Sequence, residues 1–326
     1  MKRHTLKPLS LAALAALTAA PAASWAQAAY PSKPVRWIVT FTPGASNDIV
    51  ARLIAGKLTD MLGQQFVIDN RGGAGGLVGA EIVAKSPADG YTLLLTNPAP
   101  NINAPMMSRK PPYQPSDFAP VSFFGYTPLI AAAHPSVPAK NPKELVALLK
   151  SSPGKYTWGS SGNGSSLHIG LALFQLATGV DVVHVPYKGT APALTDLIGG
   201  QINLMYTTKV SADGHIRGGR IRILGVASAK RSQALPDVPT LAEFGIKDAE
   251  AVTWFGMGVP KATPRAIIDK LNAASNKVLA LPDVRKRLEE DGVDVQGGTP
   301  EEFDRFIKRE IGQMEKLLKT GALKKE

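Results

Sequence analysis

The chain has 326 residues, of which 44% are hydrophobic and 19% are charged. This is the composition of a folded globular protein, and the length suggests about two domains. Cysteine is absent, which excludes disulfide frameworks, cysteine-ligated metal sites and a cysteine nucleophile. The formal net charge is +11, but Lys and Arg are spread along the whole sequence. We therefore expect a basic surface that attracts anionic small molecules, not a nucleic-acid interface.

The first 26 residues are predicted to be a cleaved export signal. Lys2, Arg3 and Lys7 form a basic start, and residues 9–20 form an apolar run that is too short to span a bilayer. Residues 24–26 then supply the small side chains that signal peptidase requires. No later stretch is long and apolar enough to cross a membrane, so we expect an exported protein.

Strands alternate with helices after the signal. A β-rich run at 35–41 precedes a helical pattern at 49–62, a strand at 65–68, a glycine-rich loop at 71–76 with a helix, and a strand at 91–96. This order predicts a mostly parallel sheet covered by helices. Residues 156–226 show the same alternation of strand and helix patterns, without a fixed-period repeat.

Two helices are predicted near the C-terminus. Thr263-Pro264 is interpreted as a cap with Pro at the first helical position, and Thr299 begins a capping box that Glu302 completes. Each is followed by apolar residues at helical spacing, which predicts a core-facing side.

Three loops share one design, in which a strand leads through glycine and small polar residues into a helix. They are residues 44–48, 160–166 and 189–191. Unpaired backbone N–H groups and the positive end of the helix dipole favour an anion at such a position. Plain helix capping by Asn47, Ser165 and Thr190 is the alternative for each loop. Because the loops come from both halves of the chain, we expect them to line one cleft.

Enzyme signatures are incomplete in this sequence. The run Gly73-Ala74-Gly75 lacks the third glycine of a dinucleotide fingerprint, and Asn163 replaces the last glycine of a nucleophile elbow. A secreted serine hydrolase that uses Ser161 and His168 remains the alternative function. The histidines lack metal-ligand spacing, so neither a metal nor a cofactor is expected.

An ordered set of motifs points to a family. The most specific are residues 191–197 (APALTDL) with Gly199-Gly200-Gln201, and residues 235–240 (LPDVPT). Residues 70–76 (NRGGAGG), 159–165 (GSSGNGS) and 185–189 (VPYKG) add to them. With these motifs in this order, the mature chain resembles the Bug family, also called the TctC-like receptors of tripartite tricarboxylate transport.

The resemblance implies an α/β fold of the two-domain periplasmic binding protein class, a type II-like Venus flytrap. Two mixed sheets flanked by helices would enclose a ligand cleft, with domain 1 formed by residues 27–126 and 252–326 and domain 2 by residues 127–251. It also implies a periplasmic receptor that captures a small organic carboxylate for a tripartite tricarboxylate-type transporter or for sensing. Such a receptor performs no covalent chemistry, has permease subunits as partners, and is expected to be a monomer that binds no nucleic acid.

The resemblance further implies which residues contact the ligand. Gly75, Asn97, Tyr206 and Thr207 are weaker candidates than the others. The predicted ligand-binding residues are Phe41, Gly44, Ser46, Asn47, Asp48, Gly75, Ser160, Ser161, Gly162, Asn163, Ser165, His168, Lys188, Gly189, Thr190 and Thr207.

Overall fold

The structure is a computed structural model, and it describes Met1, residues 30–321 and residue 323. The predicted export signal therefore lies, apart from Met1, outside the described residues. Within the described ranges, no helix combines the length and the apolar character that a membrane crossing requires.

Strands and helices alternate along the described part of the chain. The strands are β1 (Val35–Val39), β2 (Phe66–Asn70), β3 (Thr92–Thr96), β4 (Phe118–Pro128), β5 (Ile130–Ala133), β6 (Thr157–Ser160), β7 (Val183–Pro186), β8 (Leu204–Thr207), β9 (Arg222–Val226), β10 (Val252–Pro260) and β11 (Asp294–Val295). The α-helices are α1 (Ser46–Leu62), α2 (Leu77–Ala84), α3 (Ala104–Met107), α4 (Pro142–Ser151), α5 (Ser166–Thr178), α6 (Thr190–Ile198), α7 (Lys209–Arg217), α8 (Arg265–Ala280), α9 (Pro282–Glu290) and α10 (Pro300–Lys319).

The strands form two mixed sheets. The six-stranded sheet has the order β11-β4-β10-β3-β1-β2, and the five-stranded sheet has the order β7-β6-β8-β5-β9. Each sheet combines parallel neighbours, such as β1 with β2 and β6 with β7, with antiparallel ones, such as β10 with β3 and β5 with β8. We call the first sheet and its helices lobe 1 (residues 30–128 and 252–321), and the second sheet and its helices lobe 2 (residues 129–251). The predicted α/β architecture of two mixed sheets flanked by helices is confirmed.

Each lobe has its own hydrophobic core. In lobe 1, Trp37 on β1 is fully buried and packs edge-on against Phe124 on β4, with ring centroids 5.9 Å apart. In lobe 2, Trp158 on β6 is fully buried between Phe174 and Tyr206. Most core residues pack within their own lobe, and Ala172 and Val210 of lobe 2 pack against residues of lobe 1.

The chain passes between the lobes at two adjacent places. The first is Leu129, between β4 and β5, and the second is the junction of Ala251 with β10. Leu129 N donates to Ala251 O at 2.9 Å, Ala251 N donates to Ala227 O at 2.9 Å, and Ala227 N donates to Leu129 O at 2.8 Å. The connection between the lobes is therefore a ribbon of hydrogen-bonded backbone.

The central pair β4 and β10 was not predicted from the sequence. The register of this pair shifts at Phe255/Gly256 and at Met257/Gly258, so side chains do not alternate regularly between the two faces of the sheet. A Cβ at Gly256 would lie 2.5 Å from Cζ of Phe303 on α10. Glycine is required there because the aromatic ring packs directly on the strand backbone.

Of the two N-terminal caps predicted for the helices near the end of the chain, one is confirmed. The Thr299 side chain accepts from Glu302 N at 3.2 Å, and Glu302 Oε2 accepts from Thr299 N at 2.8 Å, which is the expected capping box of α10. The Thr263 cap is wrong. Pro264 itself occupies the position before α8, and the Thr263 hydroxyl donates to Pro260 O at 2.8 Å instead.

Candidate functional site

Four loops meet where the lobes face each other. We call them L1 (residues 40–48), L2 (160–166), L3 (187–191) and L4 (71–76). L1 and L4 follow β1 and β2 in lobe 1, while L2 and L3 follow β6 and β7 in lobe 2. The three loops that the sequence singled out are thus placed at the carboxyl ends of parallel strands, where open α/β sheets bind ligands.

The loops approach one another at the level of their backbones. A Cβ at Gly189 of L3 would lie 2.4 Å from Thr42 Oγ1 of L1, and a Cβ at Gly75 of L4 would lie 2.1 Å from Asn163 O of L2. Within lobe 2, a Cβ at Gly162 would lie 3.0 Å from Tyr187 O. L1 to L4 therefore form one continuous surface, and the lobes are in contact across it.

A cavity of about 330 Å³ opens between the lobes beside these contacts. It lies where L4 and α3 of lobe 1 face L2 and L3 of lobe 2. Its lining residues are Ala74, Gly75, Leu77, Ala104, Met107, Ser108, Gly162, Asn163, Gly164, Pro186, Tyr187 and Lys188.

Asp48 fixes the shape of L1. Its carboxylate accepts hydrogen bonds from Gly44 N at 3.0 Å, from Arg52 Nε at 2.9 Å and from Asn70 Nδ2 at 3.0 Å. Burial on its own raises the pKa of Asp48, but these hydrogen bonds and the Arg52 charge outweigh burial, and the pKa lies below its ordinary value. Asn70 Nδ2 also donates to Phe41 O at 3.0 Å. The structure thus places Asp48 in a network that holds the loop, with its charge neutralised by Arg52.

Arg52 and Asn70 were not predicted as site residues. Asp48 and Arg52 are four residues apart on α1, a spacing that places them on one side of a helix and is visible in the sequence. Asn70 lies at the end of β2, and only the parallel pairing of β2 with β1 brings it to L1. No local pattern reveals that contact.

Asn47 does not cap α1. The residue before the helix is Ala45, and no side chain satisfies the first backbone N–H groups of α1. Asn47 is buried, and its Oδ1 has no hydrogen-bond partner among the described residues. Ser46 begins α1, and Phe41 packs against Ala45 beneath the loop. The capping interpretation of Asn47 is wrong.

L2 has a different arrangement, in which the predicted cap is present. Ser165 Oγ accepts from His168 N at 3.2 Å at the start of α5, so the capping interpretation of Ser165 is confirmed. Ser160 Oγ lies 2.7 Å from His184 Nε2 and accepts from Gly162 N at 3.2 Å. Ser161 is buried in the same loop.

His168 lies on α5 and contacts L2. Its Nδ1 accepts a hydrogen bond from Gly164 N at 3.2 Å, and its ring stacks on His184 with centroids 4.3 Å apart. Burial, with a smaller contribution from the His184 charge, lowers the pKa of His168 to about 4. Across the residues that the structure describes, no hydrogen bond joins Ser161 to His168. The pair that the hydrolase alternative requires is therefore not assembled.

L3 brings a third helix start to the same place. Thr190 is the first residue of α6, Gly189 precedes the helix, and no side chain caps it, so the capping interpretation of Thr190 is also wrong. Thr190 is buried, whereas Lys188 is exposed at the rim of the cleft. Tyr187 OH donates to Asp196 Oδ2 at 2.7 Å, which ties L3 to its own helix.

The ends of two further strands add buried hydroxyl and amide groups. Thr207 and Tyr206 lie at the end of β8, and their hydroxyl oxygens have no hydrogen-bond partner in the described part of the chain. The same holds for Asn97 Nδ2, which follows β3. Buried polar atoms are normally paired, so these atoms are donors and acceptors available to a ligand or to water.

The electrostatics of the site favour an anion. The N-termini of α1, α5 and α6 begin in L1, L2 and L3, and each contributes a positive dipole end and backbone N–H groups. The Asp48 carboxylate in L1 is paired with Arg52. Over the described ranges, no group of three or more His, Asp or Glu residues is arranged to hold a metal ion.

Comparison with known proteins agrees with the motif pattern. The model of the tripartite tricarboxylate transporter family receptor, TctC, matches residues 50–323. Protein BugT of Bordetella pertussis strain Tohama I is 38% identical over 309 residues, which cover 94% of each chain.

Two solved structures also resemble this chain in fold and in sequence. R. palustris Rpa4515 with adipate has a TM-score of 0.88 at 36% identity and covers 90% of this chain and 99% of its own. MatC (Rpa3494) from Rhodopseudomonas palustris with bound malate has a TM-score of 0.84 at 32% identity, with 88% and 99% covered. The periplasmic binding protein fold that the motifs implied is thereby confirmed, and the comparisons give no support to the hydrolase. The chain belongs to the tripartite tricarboxylate transporter receptor family.

Proposed function

We propose that this chain is a periplasmic receptor that captures a small organic carboxylate between its two lobes. The observation that carries the proposal is the meeting of three helix N-termini, from both lobes, at one closed interface. These helix starts offer backbone N–H groups to an anion, and only the Ser165 start is capped by its own side chain. A ligand held there would touch both lobes at once.

The chemistry of the relatives supports a carboxylate. One related structure contains adipate and another contains malate, and both ligands are small dicarboxylates. In this chain we assign this role to neutral donors: the backbone N–H groups of L2 and L3 and the hydroxyls of Thr190 and Thr207. Neutral donors at helix starts bind carboxylates without an arginine clamp.

The mechanism follows from the two lobes and their connection. A ligand that contacts both lobes has its full set of interactions only when the lobes are closed, so binding shifts the population toward the closed form. We assign domain 1 to residues 27–126 and 252–326 and domain 2 to residues 127–251. The core of each sheet and the paired passage of the chain near residues 129 and 251, within two residues of the proposed boundaries, support this division.

The remaining parts of the proposal concern the cellular setting. Residues 1–26 direct export to the periplasm, and the receptor acts as a monomer that delivers its ligand to permease subunits of a tripartite tricarboxylate-type transporter. The family description, which names a transporter receptor, supports the permease as partner. The receptor binds its ligand without covalent chemistry, and no hydrogen bond among the described residues joins Ser161 to His168.

A thermal-shift screen tests the proposal. The mature protein, from residue 27, is heated with adipate, malate and a wider set of carboxylic acids, and the diamide of each ligand is the matched neutral control. A ligand at about 100 times its Kd stabilises the native state by roughly 2.7 kcal/mol, a shift of a few degrees for a protein of this size. Shifts with the diamides as large as those with the acids would contradict the anion site, and so would no shift with any acid.

A further inference from the structure

Two histidines of lobe 2 form hydrogen bonds with L2. His184, on β7, places Nε2 2.7 Å from Ser160 Oγ at the start of the loop. His168, on α5, places Nδ1 3.2 Å from Gly164 N near the end of the loop. The two rings stack almost parallel, with 4° between their planes. The loop is thus fastened at both ends to one pair of rings.

The hydrogen bond at Gly164 determines the protonation state of His168. A backbone N–H can only donate, so Nδ1 must accept with its lone pair, and the ring proton must be on Nε2. A second proton, on Nδ1, would remove this acceptor and would place a positive charge against the His184 ring, whose centroid is 4.3 Å away. The observed geometry therefore requires a neutral His168.

The segment that His168 holds is one of the parts of lobe 2 that contact lobe 1. A Cβ at Gly164, whose φ is +72°, would lie 2.9 Å from Cα of Ala104 on α3. The neighbouring Asn163 O meets Gly75 of L4. A change in the path of L2 at this point would separate backbone atoms that touch across the cleft.

We propose that His168, in its neutral form and stacked on His184, is a positioning residue that holds L2 in the shape that receives the ligand and meets lobe 1. The proposal rests on the proposed function, since it assigns a role within the same site. His168 acts through the Gly164 amide and through the loop.

Protonation of His168 then opposes the closed arrangement of L2. In the described part of the molecule, burial lowers the pKa of His168 most, and His184, from the adjacent strand, is the titratable group that lowers it further. The pKa of His168 is about 4 with L2 in place, and a released, solvated histidine has a pKa of about 6.5. The folded pKa is the lower one, so the stabilisation of L2 is complete above about pH 6.5 and is lost as the pH falls toward 4.

Amide exchange of Gly164, measured by NMR on the full mature protein, tests this role without any ligand. The difference between the pKa of His168 in the folded loop and in the released loop predicts a fall in the protection factor. Between pH 7.5 and pH 5.0 the factor, corrected for intrinsic exchange, should fall by about 30-fold. In H168N the Asn Oδ1 can replace Nδ1 as acceptor and does not titrate, so the protection should be independent of pH. H134N, which removes a histidine hydrogen-bonded to Ser136 outside the site, should keep the wild-type fall.

The outcomes separate this role from the proposed function. A wild-type protection factor that does not change with pH would overturn the role of His168, even if adipate or malate binds well. The predicted fall together with no carboxylate binding would support the loop role and overturn the proposed ligand class. If H168N does not fold, the wild-type imidazole signals decide: a His168 pKa at its ordinary value would refute the proposal.

Discussion

Gly75 is the position at which the need for lobe closure can be tested most sharply. It has a φ of +64°, and a Cβ there would lie 2.1 Å from Asn163 O of the opposite lobe. Ordinary van der Waals contact begins at 3.4 Å, so an alanine requires the two backbones to separate by about 1.3 Å, the difference between 3.4 and 2.1 Å. Neither partner is a flexible side chain, so the lobes themselves must move apart.

Two separate effects are expected in Gly75→Ala. Alanine in a left-handed conformation costs about 1 kcal/mol of folding stability. The steric overlap costs a further 1–3 kcal/mol, approximately, and only in the closed state, which corresponds to about 5- to 150-fold weaker ligand binding. Calorimetric titration with the carboxylate found in the thermal-shift screen measures the second effect, and urea unfolding of the ligand-free protein measures the first.

Gly63→Ala provides the matched control. Gly63 ends α1 with a φ of +71°, nearly that of Gly75, but a Cβ there would have no atom within 4 Å. It should therefore reproduce the loss of folding stability and leave ligand affinity unchanged. If Gly75→Ala binds the carboxylate as tightly as Gly63→Ala does, the contact between L4 and L2 is not part of the liganded state, and the reasoning is wrong.

Three further substitutions separate binding from folding. Thr190→Val removes a hydroxyl that caps no helix, so we expect about tenfold weaker carboxylate binding with an unchanged unfolding midpoint; unaltered affinity would remove Thr190 from the site. Asp48→Asn places an amide against Arg52, and we expect a loss of about 2–4 kcal/mol in urea unfolding at pH 7. Because the folded pKa of Asp48 is lowered, wild type keeps this contribution above about pH 4 and loses it as the pH falls, so the difference between the two proteins should narrow at pH 3. Thr299→Ala should cost about 1 kcal/mol of stability through the lost cap and leave carboxylate affinity intact, and weaker binding would show that α10 influences the cleft.

The sequence predicted the order of elements and the position of the loops better than the roles of single side chains. L1, L2 and L3 were recognisable because glycine and small polar residues separate a β-rich run from a helical pattern. The pair β4 and β10 was hidden because register shifts and glycines interrupt the alternation of apolar and polar residues. One of these glycines, Gly256, is required because Phe303 packs on the strand backbone.

Side-chain roles depend on contacts that no local pattern reveals. Asn47 and Thr190 were interpreted as possible caps from their position beside a helix, but Ala45 and Gly189 occupy the cap positions. The contact of His184 with Ser160 spans 24 residues and exists only because β7 pairs with β6. The sixteen predicted ligand contacts remain a prediction, to be tested by substitution as above.

The hydrogen-bonded ribbon between the lobes limits how they can move. Leu129, Ala227 and Ala251 are joined edge to edge by three backbone hydrogen bonds. Such a ribbon bends readily out of its plane, but sliding of one segment along another would break the bonds that hold its edges in register. We therefore expect opening and closing to occur by bending at this ribbon, with Thr42 returning to Gly189 and Gly75 returning to Asn163 on every closure. A bending motion between two defined end points should appear in rapid-mixing kinetics as a single exponential phase.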